Sequence, residues 1–176
     1  MLRYLWVSAV VLAADQLTKW AAMKILVHGE VSLLPFLKLT LVFNTGAAFG
    51  LLSDAPGWQN RLFMAVAVMA AVIIYFMLRR LTRNEWLTAV GLALILGGAL
   101  GNLVDRALYG YVIDFIDLFY PSAALRCPWP FSPHDGGCHW PVFNLADAAI
   151  TGGAVLLVLD VFGLGAAVHR PDANRR

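Results

Sequence analysis

Polar residues drop out of this chain for long stretches and return in short clusters, and that rhythm predicts helices first. Four apolar runs, at 4–23, 62–78, 86–104 and 143–165, reach the ~17–25 residues a helix needs to cross a bilayer. Between the first two runs the period changes. Leu37, Leu39, Leu41 and Phe43 alternate with Lys38, Thr40 and Val42, the two-residue repeat of a half-buried strand, and Asn44-Thr45-Gly46 adds turn chemistry. A second strand is expected at 111–116, after the Tyr109-Gly110 turn, with Val112, Asp114 and Ile116 on one face. The pattern predicts an all-α membrane protein: a four-transmembrane-helix bundle with a small outer-face β-sheet, residues 1–176 forming one integral membrane domain. Irregular backbone at that depth needs protein or water to satisfy it, so a wet pocket is expected beside the sheet.

Composition supports the membrane reading. Of 176 residues, 60% are hydrophobic and 14% charged, with a mean hydropathy of +0.71; soluble domains carry roughly 25% charged residues. The net charge of +2 says less than its placement. Arg3, then Arg79, Arg80 and Arg83, then Arg170, Arg175 and Arg176 flank the runs on one side, which the preference of Lys and Arg for the cytoplasm makes the inside. Both termini are then cytoplasmic, and segments 24–61 and 105–142 lie outside. The first run has a basic start and an Ala13-Ala14 pair, as a cleaved signal peptide would. The retained reading is favoured because Asp15 and Lys19 form an i,i+4 pair on one helix face, directed into the bundle as embedded charges must be.

Asp147, at the mouth of the fourth run, is the residue with most to explain. A carboxylate at the edge of the hydrocarbon core is costly unless paired or wet, so it marks a functional site by default. If Asn144 is a helix N-cap, Asp147 is also the acid that closes a capping box; capping and catalysis are compatible. Asp114 is a second acid within an apolar strand, and two carboxylates brought together can share a proton and activate water. Asn102, one turn inside the third run, needs a partner. Asp105 and Arg106 read either as interfacial charges or as parts of the same site. Asp160 lies about 20 Å further along the helix than Asp147, too far to act with it. Gly91, Gly97, Gly98 and Gly101 suit close helix packing. No G-x-S-x-G elbow, H-E-x-x-H or P-loop occurs. Cys127, His134, Cys138 and His139 match no standard zinc spacing. A Cys127–Cys138 disulfide is the natural reading outside the cytoplasm, with free thiols or a metal as alternatives.

The blocks Asp15-Gln16-Leu17-Thr18-Lys19, Asn44-Thr45-Gly46-Ala47-Ala48-Phe49, Gly101-Asn102-Leu103-Val104-Asp105-Arg106, Val112-Ile113-Asp114-Phe115 and Phe143-Asn144-Leu145-Ala146-Asp147 resemble, in order, those of the bacterial lipoprotein signal peptidases, or signal peptidase II. The resemblance implies an aspartyl endopeptidase of the bacterial inner membrane that needs no metal or cofactor and binds no nucleic acid. Its substrates would be diacylglyceryl-modified prolipoproteins, cut just before the lipidated cysteine on the outer (periplasmic) side by a chain acting as a monomer. It implies Asp114 and Asp147 as the catalytic pair and Asp105 as a support beside Arg106. Asn44, Gly46, Asn102, Arg106 and Asn144 would hold substrate and order the site, while Asp15 and Lys19 would be structural. The implied fold adds an outer-face helix to the bundle and sheet. The chain departs from the family at 121–141, a longer link rich in Pro and Trp. A different reading is a small proton-coupled transporter or channel with Asp15, Lys19 and Asp147 as a relay. It would require polar residues in the cytoplasmic half of the bundle, where Asp160 stands almost alone.

Overall fold

Helix α3 (Trp86–Tyr109) is the axis on which α1 (Leu5–Ile25), α2 (Trp58–Arg80) and α4 (Leu145–Val161) pack. The computed structural model describes residues 1–46, 58–121, 127–134 and 136–163. Packing of α4 on α3 is set by missing side chains. A Cβ on Gly153 would fall 2.5 Å from the carbonyl oxygen of Gly91, and one on Gly91 would fall 2.9 Å from that of Gly153. Alanine at either position would force the helices apart. Ile74 and Leu78 of α2 close the opposite side of α3 against Ala89, Leu92 and Leu96.

The outward faces are apolar. Trp6, Leu17 and Trp20 of α1, Met69, Ile73 and Phe76 of α2, and Val155 and Val158 of α4 are all exposed, as expected of a bundle whose solvent is lipid. Among the described residues, α2 and α3 are long and apolar enough to cross a membrane. The apolar sequence of α1 is interrupted by Asp15, Gln16, Thr18 and Lys19, and α4 has 17 residues.

Helix boundaries differ from the apolar runs for local reasons. Helix α2 extends beyond 62–78 at both ends, and α3 continues past 104 until Gly110, at φ 84°, ends it in the left-handed conformation. Helix α4 begins two residues later than the run at 143, because Phe143 is extended and bridges Ile116 while Asn144 is the N-cap.

A five-stranded antiparallel sheet sits across the end where α3 finishes and α4 starts. Its strands are β1 (Val31–Leu34), β2 (Leu37–Asn44), β3 (Val112–Pro121), β4 (Ser132–His134) and β5 (Gly137–His139), in the order β1-β2-β3-β5-β4. Two strands were expected and five are present; β1, β4 and β5 are too short to show a period. Strand β2 does not divide into a wet and a dry face either. Residues 37–41 are all half-buried, and Lys38 bonds Glu30 at 3.1 Å while its ammonium lies over the Phe119 ring. Residues 47–49 of the second motif and the basic residues 170, 175 and 176 lie outside the described residues. No outer-face helix occurs among the described residues; 47–57, between β2 and α2, are outside them.

Candidate active site

The first turn of α4 is built around one amide. The Asn144 Oδ1 accepts the Asp147 N–H at 2.9 Å, and the Asn144 N–H donates back to Asp147 Oδ2 at 3.2 Å, which completes a capping box. This holds the Asp147 carboxylate at the positive end of the helix dipole. Oδ1 of Asp147 accepts a further bond from Asn102 Nδ2 at 2.8 Å.

Asp114 comes from the opposite wall, on β3, and is 1% exposed. Its Oδ1 accepts from Asn144 Nδ2 at 2.7 Å and its Oδ2 from Asn44 Nδ2 at 3.0 Å. Asn44 ends β2 and also accepts the Gly46 N–H through Oδ1 at 3.0 Å, a side-chain turn that fixes the amide's direction. The two acids are thus joined through Asn144, which touches both. Burial, and next the charge of Asp147, push the Asp114 carboxyl up to about 6, against the opposing pull of the two amides.

Beneath this pair lies a second polar layer. The Lys19 ammonium meets Asp105 Oδ2 at 2.7 Å, Asp15 Oδ2 at 2.9 Å and Asn102 Oδ1 at 3.0 Å, one acceptor for each of its three protons. Asp15 Oδ1 accepts the Ala146 N–H at 2.9 Å, and Asp105 Oδ2 accepts the Ile113 N–H at 3.1 Å. Gln16 Nε2 reaches Asp105 Oδ1 at 2.9 Å. Through these bonds α1 anchors the residues next to both upper acids. Gly101 is needed here, since a Cβ would lie 2.5 Å from Asp15 Oδ2.

The resemblance put Asp105 beside Arg106, but successive helix residues point about 100° apart. Asp105 turns inward to Lys19, while Arg106 turns the other way. The Arg106 guanidinium donates to the Gly46 carbonyl at 3.0 Å and lies over the Phe63 ring at 5.0 Å.

Asn44, Asn102, Arg106, Asp114 and Asp147 all line one cavity of 870 Å³. Its remaining walls are mostly apolar: Val42 and Phe43 from β2, Ile150 and Ala148 from α4, and Leu118 and Trp140 from the sheet end, with Thr45 and Thr151 beside them. Asn144 is fully buried behind the acids it joins. Such a vessel can hold a chain with a large apolar part and present one bond to two carboxyls.

Other sequence-level candidates lie elsewhere. Asp160 hydrogen-bonds the Thr88 hydroxyl at the far end of α3 and α4. Cys127 and Cys138 are joined by a disulfide, their Cα atoms 5.5 Å apart, which ties the 121–141 link to β5. Among the described residues no three His, Cys, Asp or Glu side chains gather as a metal cluster. Sequence reading missed Asp117, whose carboxylate holds His139 Nδ1 at 2.8 Å between β3 and β5. A pairing that depends on two strands meeting has no signature in local spacing.

A family model described as Signal peptidase (SPase) II matches residues 7–163. A lipoprotein signal peptidase of Burkholderia mallei (strain SAVP1) is 47% identical over 158 residues, covering 89% of this chain and 86% of its own. One from Burkholderia ambifaria (strain MC40-6) is 48% identical over the same extent. Two solved structures, each titled a bacterial membrane enzyme structure by the in meso method, share the fold. The 2.3 Å one has a TM-score of 0.74 at 24% identity, covering 98% of this chain and 94% of its own. The 1.9 Å one has a TM-score of 0.69 at 27% identity, covering 90% and 92%.

Proposed function

The chain belongs to the signal peptidase II family and removes signal peptides from prolipoproteins; we propose that it does so as an aspartyl endopeptidase, with Asp114 and Asp147 as the catalytic pair. The observation that carries this reading is their placement: two carboxyls on facing walls of one cavity, hydrogen-bonded to the same asparagine. The capping box holds Asp147 at the start of α4, while the buried Asp114 carboxyl holds a proton up to about pH 6. Asp147 then takes a proton from the attacking water. Asp114 donates to the oxygen of the scissile carbonyl, where negative charge develops. On collapse of the tetrahedral intermediate the proton on Asp147 passes to the leaving nitrogen as the C–N bond breaks, and a hydroxyl proton of the intermediate returns to Asp114. Asn44, Asn102 and Asn144 keep both acids oriented, and Arg106 secures the Gly46 backbone at the cavity rim.

The substrate in this reading carries a diacylglyceryl group on the cysteine that follows the cut. Acyl chains that remain in the bilayer gain ~0.8 kcal/mol per buried methylene, so a site at membrane depth binds the modified precursor far better than the bare one. All four helices cross the bacterial inner membrane, both termini are cytoplasmic, the sheet lies on the outer face, and the chain works as a monomer. Cleavage of diacylated and unmodified prolipoprotein by the purified enzyme in lipid tests the substrate class. Equal kcat/KM on the two would overturn it. The transporter alternative is not favoured. Thr88 and Asp160 pair with each other at the far end, and the intervening core of α2 and α3 is aliphatic and glycine-rich.

A further inference from the structure

A second, smaller cavity of 320 Å³ adjoins the first, and Val42, Trp140, Pro141 and Val142 are walls of both. The two differ in origin. The first is half helix and half sheet, whereas no residue of the four helices lines the second. Its floor is Asp117 on β3, and its polar rim includes Glu30, Thr40 and Ser132. Asp114 and Asp117 lie three residues apart on one strand, about 10 Å at ~3.3 Å per residue and on its opposite faces, so the two cavities lie on either side of β3 and meet at the shared wall of Val42 and residues 140–142. Ile150 and the exposed Thr151 carry the first cavity along α4 away from the sheet, so the way past residues 140–142 leads in the other direction.

From this arrangement we infer that the second cavity is a binding site for the residues that follow the lipid-bearing cysteine: a polar, extended peptide segment on its way out of the membrane. The inference rests on the proteolytic reading of the first cavity and names how the same substrate continues. A segment leaving the apolar cavity needs partners for its backbone N–H and C=O groups. The Thr40 and Ser132 hydroxyls and the Glu30 carboxylate stand along its path. The 121–141 link is what builds this site. Residues 119–121 of β3 pair with β5, β5 pairs with β4, the Cys127–Cys138 disulfide closes the hairpin on itself, and the Asp117–His139 contact clamps it to the strand that carries Asp114. Phe131 packs edge-on against both Tyr120 and Trp140, which fixes the dividing wall.

The test compares two synthetic substrates with the same signal segment and S-diacylglyceryl cysteine, one ending a single residue past that cysteine and one extended by six. The intact enzyme in lipid nanodiscs should favour the extended substrate in kcat/KM by about tenfold, mostly through KM, as one or two added hydrogen bonds would give. In a Thr40→Val/Ser132→Ala variant that ratio should fall to about threefold or less, because lost backbone contacts matter only to the longer substrate. Glu30→Gln, at an exposed position where only the Lys38 ion pair is lost, should lower it by a smaller factor. Opening the hairpin with Cys127→Ser/Cys138→Ser should also lower it. A ratio of one in the parent enzyme, or a ratio unmoved by every variant, overturns the second site. Failure of the underlying reading looks different: Asp147→Asn would cleave both substrates.

Discussion

Four aspartates meet at one end of this bundle, and they divide into two pairs with opposite prospects. Asp15 and Asp105 share the Lys19 ammonium, accept backbone N–H groups from Ala146 and Ile113, and line neither of the two cavities. Asp114 and Asp147 have amide partners and open onto 870 Å³ of space; among the described residues neither pairs with a Lys or Arg. An acid neutralised by a lysine is spent on holding helices together. One held by amides, with the Arg106 and Lys19 charges acting only from a distance, is not locked into a salt bridge and so can do chemistry. Asn102 is where the layers touch, accepting from Lys19 below and donating to Asp147 above.

The most damaging way to probe this division is to neutralise the upper pair. Asp147→Asn and Asp114→Asn should each lower kcat by at least about 10³-fold, on the scale of lost acid–base catalysis, while the detergent-solubilised protein keeps its unfolding transition. Residual turnover within tenfold of the parent would erase the distinction. In the lower layer the effect should fall on stability instead. Lys19→Met leaves two buried carboxylates without their cation, a change that costs about 3–5 kcal/mol. Adding Asp15→Asn and Asp105→Asn should recover most of that loss in a thermal melt, together with measurable turnover. No substitution beyond the native acids should recover the upper pair.

A smaller effect is expected at the junction. Asn102→Ala removes partners from both layers and should cost about 1–3 kcal/mol of stability, with a fall in kcat beyond what unfolding explains. Asn102→Asp keeps the Lys19 contact but faces Asp147 with a like charge, so it should spare stability more than activity. The mildest probe is pH. Because the Asp114 carboxyl is raised to about 6, it is protonated below that value and loses its proton as pH rises through it. The kcat/KM profile should therefore decline on its alkaline side from about pH 6, and that limb should be missing from the residual activity of Asp114→Asn. The same sign governs stability. The native state binds this proton more tightly than the unfolded chain, so Asp114 favours folding less as pH climbs from about 4 to above 6.

The upper layer was largely legible in the sequence because its residues sit in short blocks whose spacing carries the geometry. Asn144 and Asp147 are three apart at the start of an apolar run, which specifies a capping box wherever the helix lies. Alternation marked β2 and the start of β3, and the glycines of α3 announced close packing. The lower layer was legible only in part. The i,i+4 pair in α1 was visible, but nothing local told Asp105 to turn toward Lys19 rather than stay with Arg106; that depends on which face of α3 meets α1. The hairpin of β4 and β5 was hidden for another reason. Three-residue strands have no period, and Asp117 finds His139 across 22 positions only after the sheet has formed.

Asn144 has little freedom to become anything else. Its Oδ1 caps α4, and its Nδ2 serves Asp114 at 2.7 Å, Asn102 at 3.1 Å and the Ile113 carbonyl at 3.3 Å. Aspartate would add a third negative charge and lose both amide protons. Glutamine is one methylene too long for a cavity-free site, and serine is too short to reach the far wall. An inhibitor that filled the cavity and drew its affinity from the two acids this amide holds would therefore leave the enzyme few routes to resistance. The change that evicted the drug would also disconnect the two acids the drug was made to block.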